Sequence, residues 1–131
     1  MNAPNDWLRF AEEDLRMAEL AHAEKIYNQV CFHSQQCAEK AMKAVISDEG
    51  KVPPRAHRLV TLSALISSLD FSHLLDGLRL LDSVYLPTRY PDTFPGTLEE
   101  GLPNAGQAAE AHETARKVFD SAKIRLVKTN K

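Results

Sequence analysis

The chain has 131 residues, 44% of them hydrophobic and 26% charged, which excludes a disordered or fibrous protein and fits one globular domain over 1–131. Aromatic residues make up only 7% of the chain, a balance that favours helices over strands. The formal net charge of −2 excludes a protein that coats nucleic acid by bulk electrostatics, although a local anion site remains open.

Two long amphipathic helices are predicted in the first half of the chain. The first is expected to begin at Asn5 or Asp6, either of which can cap it, and to end near Ala23. Its apolar face contains Asp14, and a carboxylate in that position needs a partner such as a lysine or a backbone amide unless it has a functional role. The second helix is predicted over about 27–48.

The second helix has two distinct faces. A stripe of mostly small residues faces inward and permits close approach of another helix: Val30, Ser34, Cys37, Ala41 and Val45. The opposite arc carries Gln29, Phe32, His33, Gln36, Glu39, Lys40 and Lys43. Three interpretations of this arc stay open: a solvated surface, a face packed against other elements or a second subunit, and a ligand site.

The second half of the chain is predicted to complete an all-α fold. A turn-rich link at 50–58 contains paired prolines and precedes a short helix over 59–69. Another helix, capped by Ser72, is followed by an irregular stretch at 87–103 with four prolines. The last helix spans about 104–127. The expected architecture is an antiparallel up-and-down four-helix bundle with one short additional helix.

The cysteines and histidines give no metal or redox signature. Cys31 and Cys37 fall on one helix about 9 Å apart, which exceeds the span of about 7 Å that a disulfide tolerates. Reduced thiols are therefore expected, with Cys37 buried and inert, as in a cytoplasmic protein. The five histidines include no pair at i,i+4, and His112 is expected to be a satisfied core residue. No cofactor or metal is predicted.

Membrane insertion is not predicted either. No apolar run approaches the roughly 20 residues that span a bilayer. The N-terminal residues lack the basic and then apolar pattern of a signal peptide.

Several short motifs, in order, resemble those of the HEPN family of small helical bundles. They are Trp7, Ala11 and Asp14-Leu15 in the first helix; Gln35-Gln36-Cys37-Ala38-Glu39-Lys40-Ala41-Met42-Lys43-Ala44 in the second; His57, Leu59 and Leu62 after the link; and Tyr85 followed by Pro87-Thr88-Arg89-Tyr90-Pro91-Asp92. The resemblance extends through most of the chain. It implies the helical bundle already expected.

The resemblance implies several activities and partners. Some HEPN proteins are metal-independent endoribonucleases, which carry an arginine, four to six residues and then a histidine near the start of the last helix. Others bind nucleotides or act as non-catalytic partners. Many small members pair as homodimers and form one half of a toxin–antitoxin module with a minimal nucleotidyltransferase.

The chain departs from the ribonuclease pattern. Its last helix contains His112 and Arg116 in the reverse order, and the one correctly spaced pair, Arg16 and His22, lies in the first helix. No catalytic residue is therefore assigned. The chain resembles the members with an Arg-Tyr-Pro loop that lack the Arg/His motif.

Seven polar residues are the candidates for binding a ligand. An arginine suits phosphate or carboxylate, and a tyrosine ring suits a base. The candidates are Gln36, Lys40, Lys43, Arg55, His57, Arg89 and Tyr90. Asp14 and Glu39 are the expected structural partners of the lysines, and an equal alternative is that Arg89 ties the loop to one of these carboxylates.

Three functions follow from these candidates. The leading one is a non-catalytic protein that binds a nucleotide or RNA and acts with a nucleotidyltransferase. The first alternative is a metal-independent endoribonuclease with an atypical site that uses His57 or Arg89. The second is a purely structural dimeric interaction module.

Overall fold

The computed structural model describes residues 3–84, 96–98 and 101–129. Those residues form five α-helices and one 3₁₀ turn: α1 Pro4–Ala23, α2 Tyr27–Asp48, α3 Leu59–Leu65, the turn Ser72–Leu74, α4 Leu75–Val84 and α5 Ala105–Thr129. The only β-type pairing in these ranges is an isolated bridge between Leu98 and Gly101. The predicted all-α fold is confirmed. None of the described helices is long and apolar enough to cross a bilayer.

Helix α2 lies at the centre of the bundle. No residue between Val30 and Glu49 is exposed, because α1, α5 and the shorter helices cover it from several sides. The small-residue stripe is fully buried, and so are the alanines that meet it from α1 and α5: Ala11, Ala18, Ala108, Ala111, Ala115 and Ala122. The stripe is therefore used inside the chain, where small side chains bring the helix axes close together.

Two predicted helix starts are corrected by the structure. Helix α1 begins at Pro4, with Ala3 in the N-cap position and no side-chain cap, so the expected cap at Asn5 or Asp6 is wrong. Proline suits the first helical position because its φ angle is already helical and its missing N–H would have no partner there. Ser72 does not cap its helix either; its own N–H donates to the carboxylate of Asp70 at 2.9 Å.

The third and fifth helices differ from the prediction by a few residues. Helix α3 stops at Leu65 because Ile66 is extended, with ψ at 119°, so the segment expected to reach residue 69 is shorter. Helix α5 begins with a reciprocal cap: Asn104 Oδ1 accepts from the Gln107 N–H at 2.8 Å, and Gln107 Oε1 accepts from the Asn104 N–H at 2.9 Å.

Helix α4 crosses α5 at a glycine. Gly77 is buried, and a Cβ atom at this position would overlap the side chain of Thr114. Thr114 is itself only 5% exposed, so it has little room to move away. The absence of a side chain at Gly77 thus sets how closely α4 approaches the bundle.

The C-terminal end of α2 is tied down by a carboxylate. Glu49 accepts hydrogen bonds from the N–H groups of Ser67 and Ser68, at 2.9 to 3.2 Å, and from Lys51 Nζ at 2.8 Å. Burial opposes the charge of Glu49, but these hydrogen bonds outweigh it and hold the pKa of the carboxyl well below its usual range. From α5, Arg125 joins the cluster through Ser68 at 2.7 Å.

Glu49→Gln is expected to lower the free energy of unfolding at pH 7 by about 1–2 kcal/mol, because it removes hydrogen bonds to a charged group. A folded-state pKa below the unfolded one means that the charge stabilises the protein above the unfolded pKa of about 4.3 and that this contribution is lost as the pH falls further. Urea unfolding should show a gap between the two proteins at pH 7 that narrows below about pH 4. Glu110→Gln, at an exposed site, is the control and should leave stability unchanged at both pH values. If the difference in the free energy of unfolding between the two proteins did not change with pH, the stabilising role of the Glu49 charge would be contradicted.

Candidate functional site

The polar arc of α2 is largely covered rather than open to solvent. Glu39 and Lys43 are 6% and 5% exposed, although both lie on the helix face opposite the small-residue stripe. The other members of the arc from Gln29 to Lys40 are partly buried. Charged groups in such surroundings need compensating partners, which α2 itself and the link after it supply.

A four-residue network surrounds the Glu39 carboxylate, and we call it the Glu39 cluster: Gln35, Glu39, Lys43 and His57. Lys43 Nζ lies 3.0 Å from Glu39 Oε2. His57 Nδ1 lies 3.1 and 3.2 Å from the two carboxylate oxygens. Gln35 Nε2 donates to Glu39 Oε1 at 3.3 Å. Three polar side chains thus share one carboxylate, which offsets the cost of burying its charge.

Two further contacts fix the position of His57. Gln35 Nε2 also donates to the backbone carbonyl of His57 at 3.1 Å. Just beyond, Asp82 of α4 accepts from the N–H groups of Leu59 and Val60, at 2.6 and 3.2 Å, and so caps the start of α3. Burial raises the pKa of Asp82, against the effect of these two hydrogen bonds. The link is thereby held at both α2 and α4.

Trp7 of α1 completes the surroundings of Lys43. The ammonium nitrogen of Lys43 lies 5.6 Å from the centre of the indole ring, within the range of a cation–π contact. It is therefore placed between a carboxylate and an aromatic face. The indole N–H of Trp7 is buried and has no hydrogen-bond partner in the described part of the chain.

A second polar cluster, which we call the Asp14 cluster, joins α1 to α2 through Asp14, His33 and Lys40. Asp14 Oδ1 lies 3.0 Å from His33 Nδ1, and Asp14 Oδ2 lies 2.6 Å from Lys40 Nζ. The Asp14 side chain is 12% exposed. This carboxylate on the apolar face of α1 thus has two partners one helix away, and the charge of Lys40 is balanced locally.

The structure brings together only some of the candidate ligand residues. Lys43 and His57 meet at Glu39, and Gln36 reaches this cluster by donating to Gln35 Oε1 at 2.6 Å. Lys40 belongs instead to the Asp14 cluster. Arg55 is exposed, two residues before His57. The last two candidates, Arg89 and Tyr90, lie outside the described residues.

Sequence reasoning did not select four of the polar contributors: Gln35, Trp7, His33 and Asp82. Gln35 could have been identified from the sequence, since Gln35, Glu39 and Lys43 are spaced four residues apart and therefore lie along one side of a helix. Asp82 had none, because it caps a helix 23 residues earlier in the chain.

The thiols are poor nucleophiles. Both cysteines are free and buried. Burial raises the pKa of Cys31 to about 11, and burial together with the nearby Asp14 raises the pKa of Cys37 further. In the described residues no three His, Cys, Asp or Glu side chains are grouped so that they could hold a metal.

His112 differs from the expected satisfied core histidine. Its Nε2 atom is buried and has no hydrogen-bond partner in residues 3–84, 96–98 and 101–129. Glu19 Oε2 lies 3.7 Å away, beyond hydrogen-bonding distance. The ring stacks on His22 with centroids 6.1 Å apart.

Lys43→Met is expected to destabilise the fold by about 3–5 kcal/mol, because it leaves the Glu39 carboxylate buried without its cationic partner. Lys40→Met is the matched control on the same helix: its side chain is 26% exposed, so the loss should be clearly smaller. The loss in the free energy of unfolding is to be measured for both variants by urea unfolding. The double variant Glu39→Gln with Lys43→Met should recover part of the loss. Equal destabilisation by Lys43→Met and Lys40→Met would contradict the conclusion that Lys43 compensates a buried charge on Glu39.

Comparison with known proteins identifies the family. The model of the HEPN domain matches residues 4–125. The crystal structure of an archaeal HEPN homologue is similar, with 32% sequence identity and a TM-score of 0.74, covering 95% of this chain and 98% of that one. A crystal structure of a Thermus thermophilus protein shows 30% identity and a TM-score of 0.77, covering 94% of this chain and 98% of that one. No curated protein matches. The chain belongs to the HEPN family.

Proposed function

We propose that this HEPN-domain protein is non-catalytic and binds the phosphate of a nucleotide or of an RNA end at the outer edge of the Glu39 cluster. The supporting observation is the arrangement around His57. Its side chain is 49% exposed, while its Nδ1 atom is held by the buried carboxylate of Glu39. Arg55 and Arg58, on either side of it in the sequence, are also exposed. An exposed imidazole held in one orientation, with two exposed arginines within two residues of it in the sequence, suits a phosphate.

The two lysines of α2 have a supporting role in this proposal. Lys40 and Lys43 are each paired with a carboxylate, so their charges are largely compensated. Lys43 holds Glu39, and Glu39 in turn orients His57. Direct contact with the ligand therefore falls to the exposed edge, where Gln36 adds a polar group one side chain away from Glu39.

Arg89 and Tyr90 remain predicted ligand residues. They follow Val84, whose carbonyl accepts from the Gly96 N–H at 3.2 Å. Gly96 has a φ angle of +87° and rests against the backbone of Asn28 in α2, where a Cβ atom would overlap the Asn28 carbonyl. Val84 and Gly96, which flank Arg89 and Tyr90 in the sequence, thus lie together next to α2. Their position supports the proposal that Arg89 and Tyr90 belong to the ligand site.

The proposed partner is a minimal nucleotidyltransferase, in a module of the toxin–antitoxin kind. This part of the proposal rests on family membership and on the site being suited to a nucleotide. A nucleotidyltransferase and a subunit that binds the phosphate of a nucleotide would share a class of ligand, as the two components of one module are expected to do. Co-purification with the product of a neighbouring nucleotidyltransferase gene would support this part of the proposal independently of ligand affinity.

Calorimetric titration with ATP, GTP, AMP and a 5′-phosphorylated RNA oligonucleotide tests the binding. At least one of them should bind, and Arg55→Ala, His57→Ala and Arg89→Ala should each weaken binding about tenfold or more by removing a phosphate contact. His73→Ala, an exposed histidine in the 3₁₀ turn, is the control and should bind normally. Melting temperatures are measured in parallel. Lower stability without weaker binding would reject the pocket, and no binding of any ligand would favour the interaction-module function.

A second candidate function is metal-independent endoribonuclease activity. It is favoured by the Glu39–His57 pair, since a carboxylate on Nδ1 orients an imidazole as general acid–base catalysis requires. His57 lies in the link rather than in the last helix, so such a site would be atypical for the family.

Incubation of labelled RNA with the protein in EDTA separates the two functions. If the chain is a nuclease, cleavage should persist without metal and fall at least a hundredfold in His57→Ala, because a general acid–base contributes about 10²–10⁴-fold. His73→Ala should cleave normally. Intact RNA after prolonged incubation with the wild-type protein would exclude this candidate.

A further inference from the structure

The hydrogen-bond network of the Glu39 cluster continues to the surface of α2 through Gln36. The Gln36 Nε2 atom donates to Gln35 Oε1 at 2.6 Å. Gln35 is fully buried, whereas Gln36 is partly exposed. The network therefore reaches solvent at two places, at Gln36 on α2 and at His57 on the link.

The neighbouring groups fix the orientation of the Gln36 carboxamide. Gln35 Nε2 donates to the Glu39 carboxylate at 3.3 Å and to the backbone carbonyl of His57 at 3.1 Å. An ionised carboxylate and a carbonyl only accept hydrogen bonds, so the nitrogen of Gln35 must face them and its oxygen must face Gln36. That oxygen requires a donor. Gln36 must therefore turn its NH₂ group towards Gln35.

This orientation leaves two groups of Gln36 for a ligand. They are the Oε1 atom, which accepts, and the second N–H of Nε2, which donates. Neither of them forms a hydrogen bond within residues 3–84, 96–98 and 101–129. The side chain thus presents an acceptor and a donor in a fixed order, a few ångströms from the proposed phosphate site.

An acceptor beside a donor on one carboxamide is complementary to adenine. Adenine presents its N6 amino group next to the acceptor N7, and a glutamine can form two hydrogen bonds with this edge. Guanine presents the acceptors O6 and N7 at the same positions. With guanine, Gln36 Oε1 would face another acceptor, so this side chain discriminates against it.

Phe32 supplies an aromatic surface one helical turn before Gln36. Residues four apart lie on the same face of a helix, and Phe32 is partly exposed. Bases stack on aromatic rings with little regard to their identity. Stacking on Phe32 would hold the base in place, and Gln36 would then select among bases.

We propose that Gln36 makes the ligand site selective for adenine, so that the ligand is an adenosine phosphate, either free or at the 5′ end of an RNA. This proposal rests on the phosphate site proposed above. The base lies at Phe32 and Gln36, and the phosphate at Arg55 and His57. Gln35 alone separates the two places, because it accepts from Gln36 and donates to the His57 carbonyl. One ribose joins the base and the phosphate of a nucleotide, which suits such a separation.

Calorimetric titration with AMP and GMP tests the selectivity. The wild-type protein should bind AMP about tenfold more tightly, since a bidentate pair discriminates between bases by about this factor. Gln36→Ala should bind both nucleotides equally, because AMP loses two hydrogen bonds and GMP loses none. Gln107→Ala is the matched control: this glutamine of α5 also bonds to a near neighbour in the sequence, and its loss should leave the AMP preference unchanged.

A reversal of selectivity is expected for Gln36→Arg. A guanidinium group donates to both O6 and N7 of guanine and can still donate to Gln35, so GMP should now bind more tightly than AMP. Partial unfolding could not produce this result, because it would weaken both ligands. Phe32→Leu should weaken AMP and GMP alike, by about fivefold or more, since stacking does not depend on the base.

The outcomes separate adenine selectivity from the phosphate site. If AMP and GMP bind the wild-type protein equally, and His57→Ala weakens both, the selectivity is overturned and the phosphate site stands. An AMP preference that persists in Gln36→Ala, or a Gln36→Arg protein that is folded and still prefers AMP, would overturn the role of Gln36.

Two 5′-phosphorylated RNA oligonucleotides, beginning with adenosine or with guanosine, identify the source of the ligand. If the ligand is an RNA end, the RNA that begins with adenosine should bind more tightly than AMP; if it is a free nucleotide, AMP should bind more tightly. A preference for the RNA that begins with guanosine would contradict the proposal. If neither the nucleotides nor the RNAs bind, the phosphate site and the adenine selectivity both fail.

Discussion

The Glu39 carboxylate imposes a constraint on everything around it. A charge at 6% exposure inside a helical bundle is stable only with partners, and its partners come from two separate parts of the chain. Lys43 and Gln35 lie on α2, one turn to either side, whereas His57 belongs to the link that follows. The link must therefore return to α2 before α3 can begin. The same contacts position the exposed edge that we propose for phosphate binding, so the stability of the bundle and the geometry of the candidate site depend on one group.

The sequence was sufficient to predict the fold but not the surroundings of the polar residues. The spacing of apolar residues predicted α2 over 27–48, which matches its limits in the structure, because helical period and flanking turn residues are local signals. The same spacing assigned Glu39 and Lys43 to an outer face without indicating what covers that face. Trp7 and the link do so, and these contacts depend on tertiary packing. Asp82, which caps α3 from α4, likewise has no local signal.

The distribution of charge shows why a basic segment need not be an anion site. Residues 40–58 hold more cationic than anionic side chains. In the folded chain, however, the three lysines of this segment are paired: Lys40 with Asp14, Lys43 with Glu39 and Lys51 with Glu49. Exposed positive charge is then concentrated on Arg55 and Arg58. A count of basic residues overestimates the potential that a phosphate would meet, and only the pairing shows where that potential remains.

The close crossing of α4 and α5 links two positions that are 37 residues apart in the sequence. A methyl group at Gly77 has no space unless Thr114 becomes smaller, so neither position can change freely while the other stays as it is. Overpacking at such a contact costs about 1–3 kcal/mol, a large part of the stability of a small domain. Substitutions at the two sites should therefore be correlated among proteins that keep this crossing. In protein design, the pair offers a way to alter the α4–α5 distance by exchanging volume between two helices.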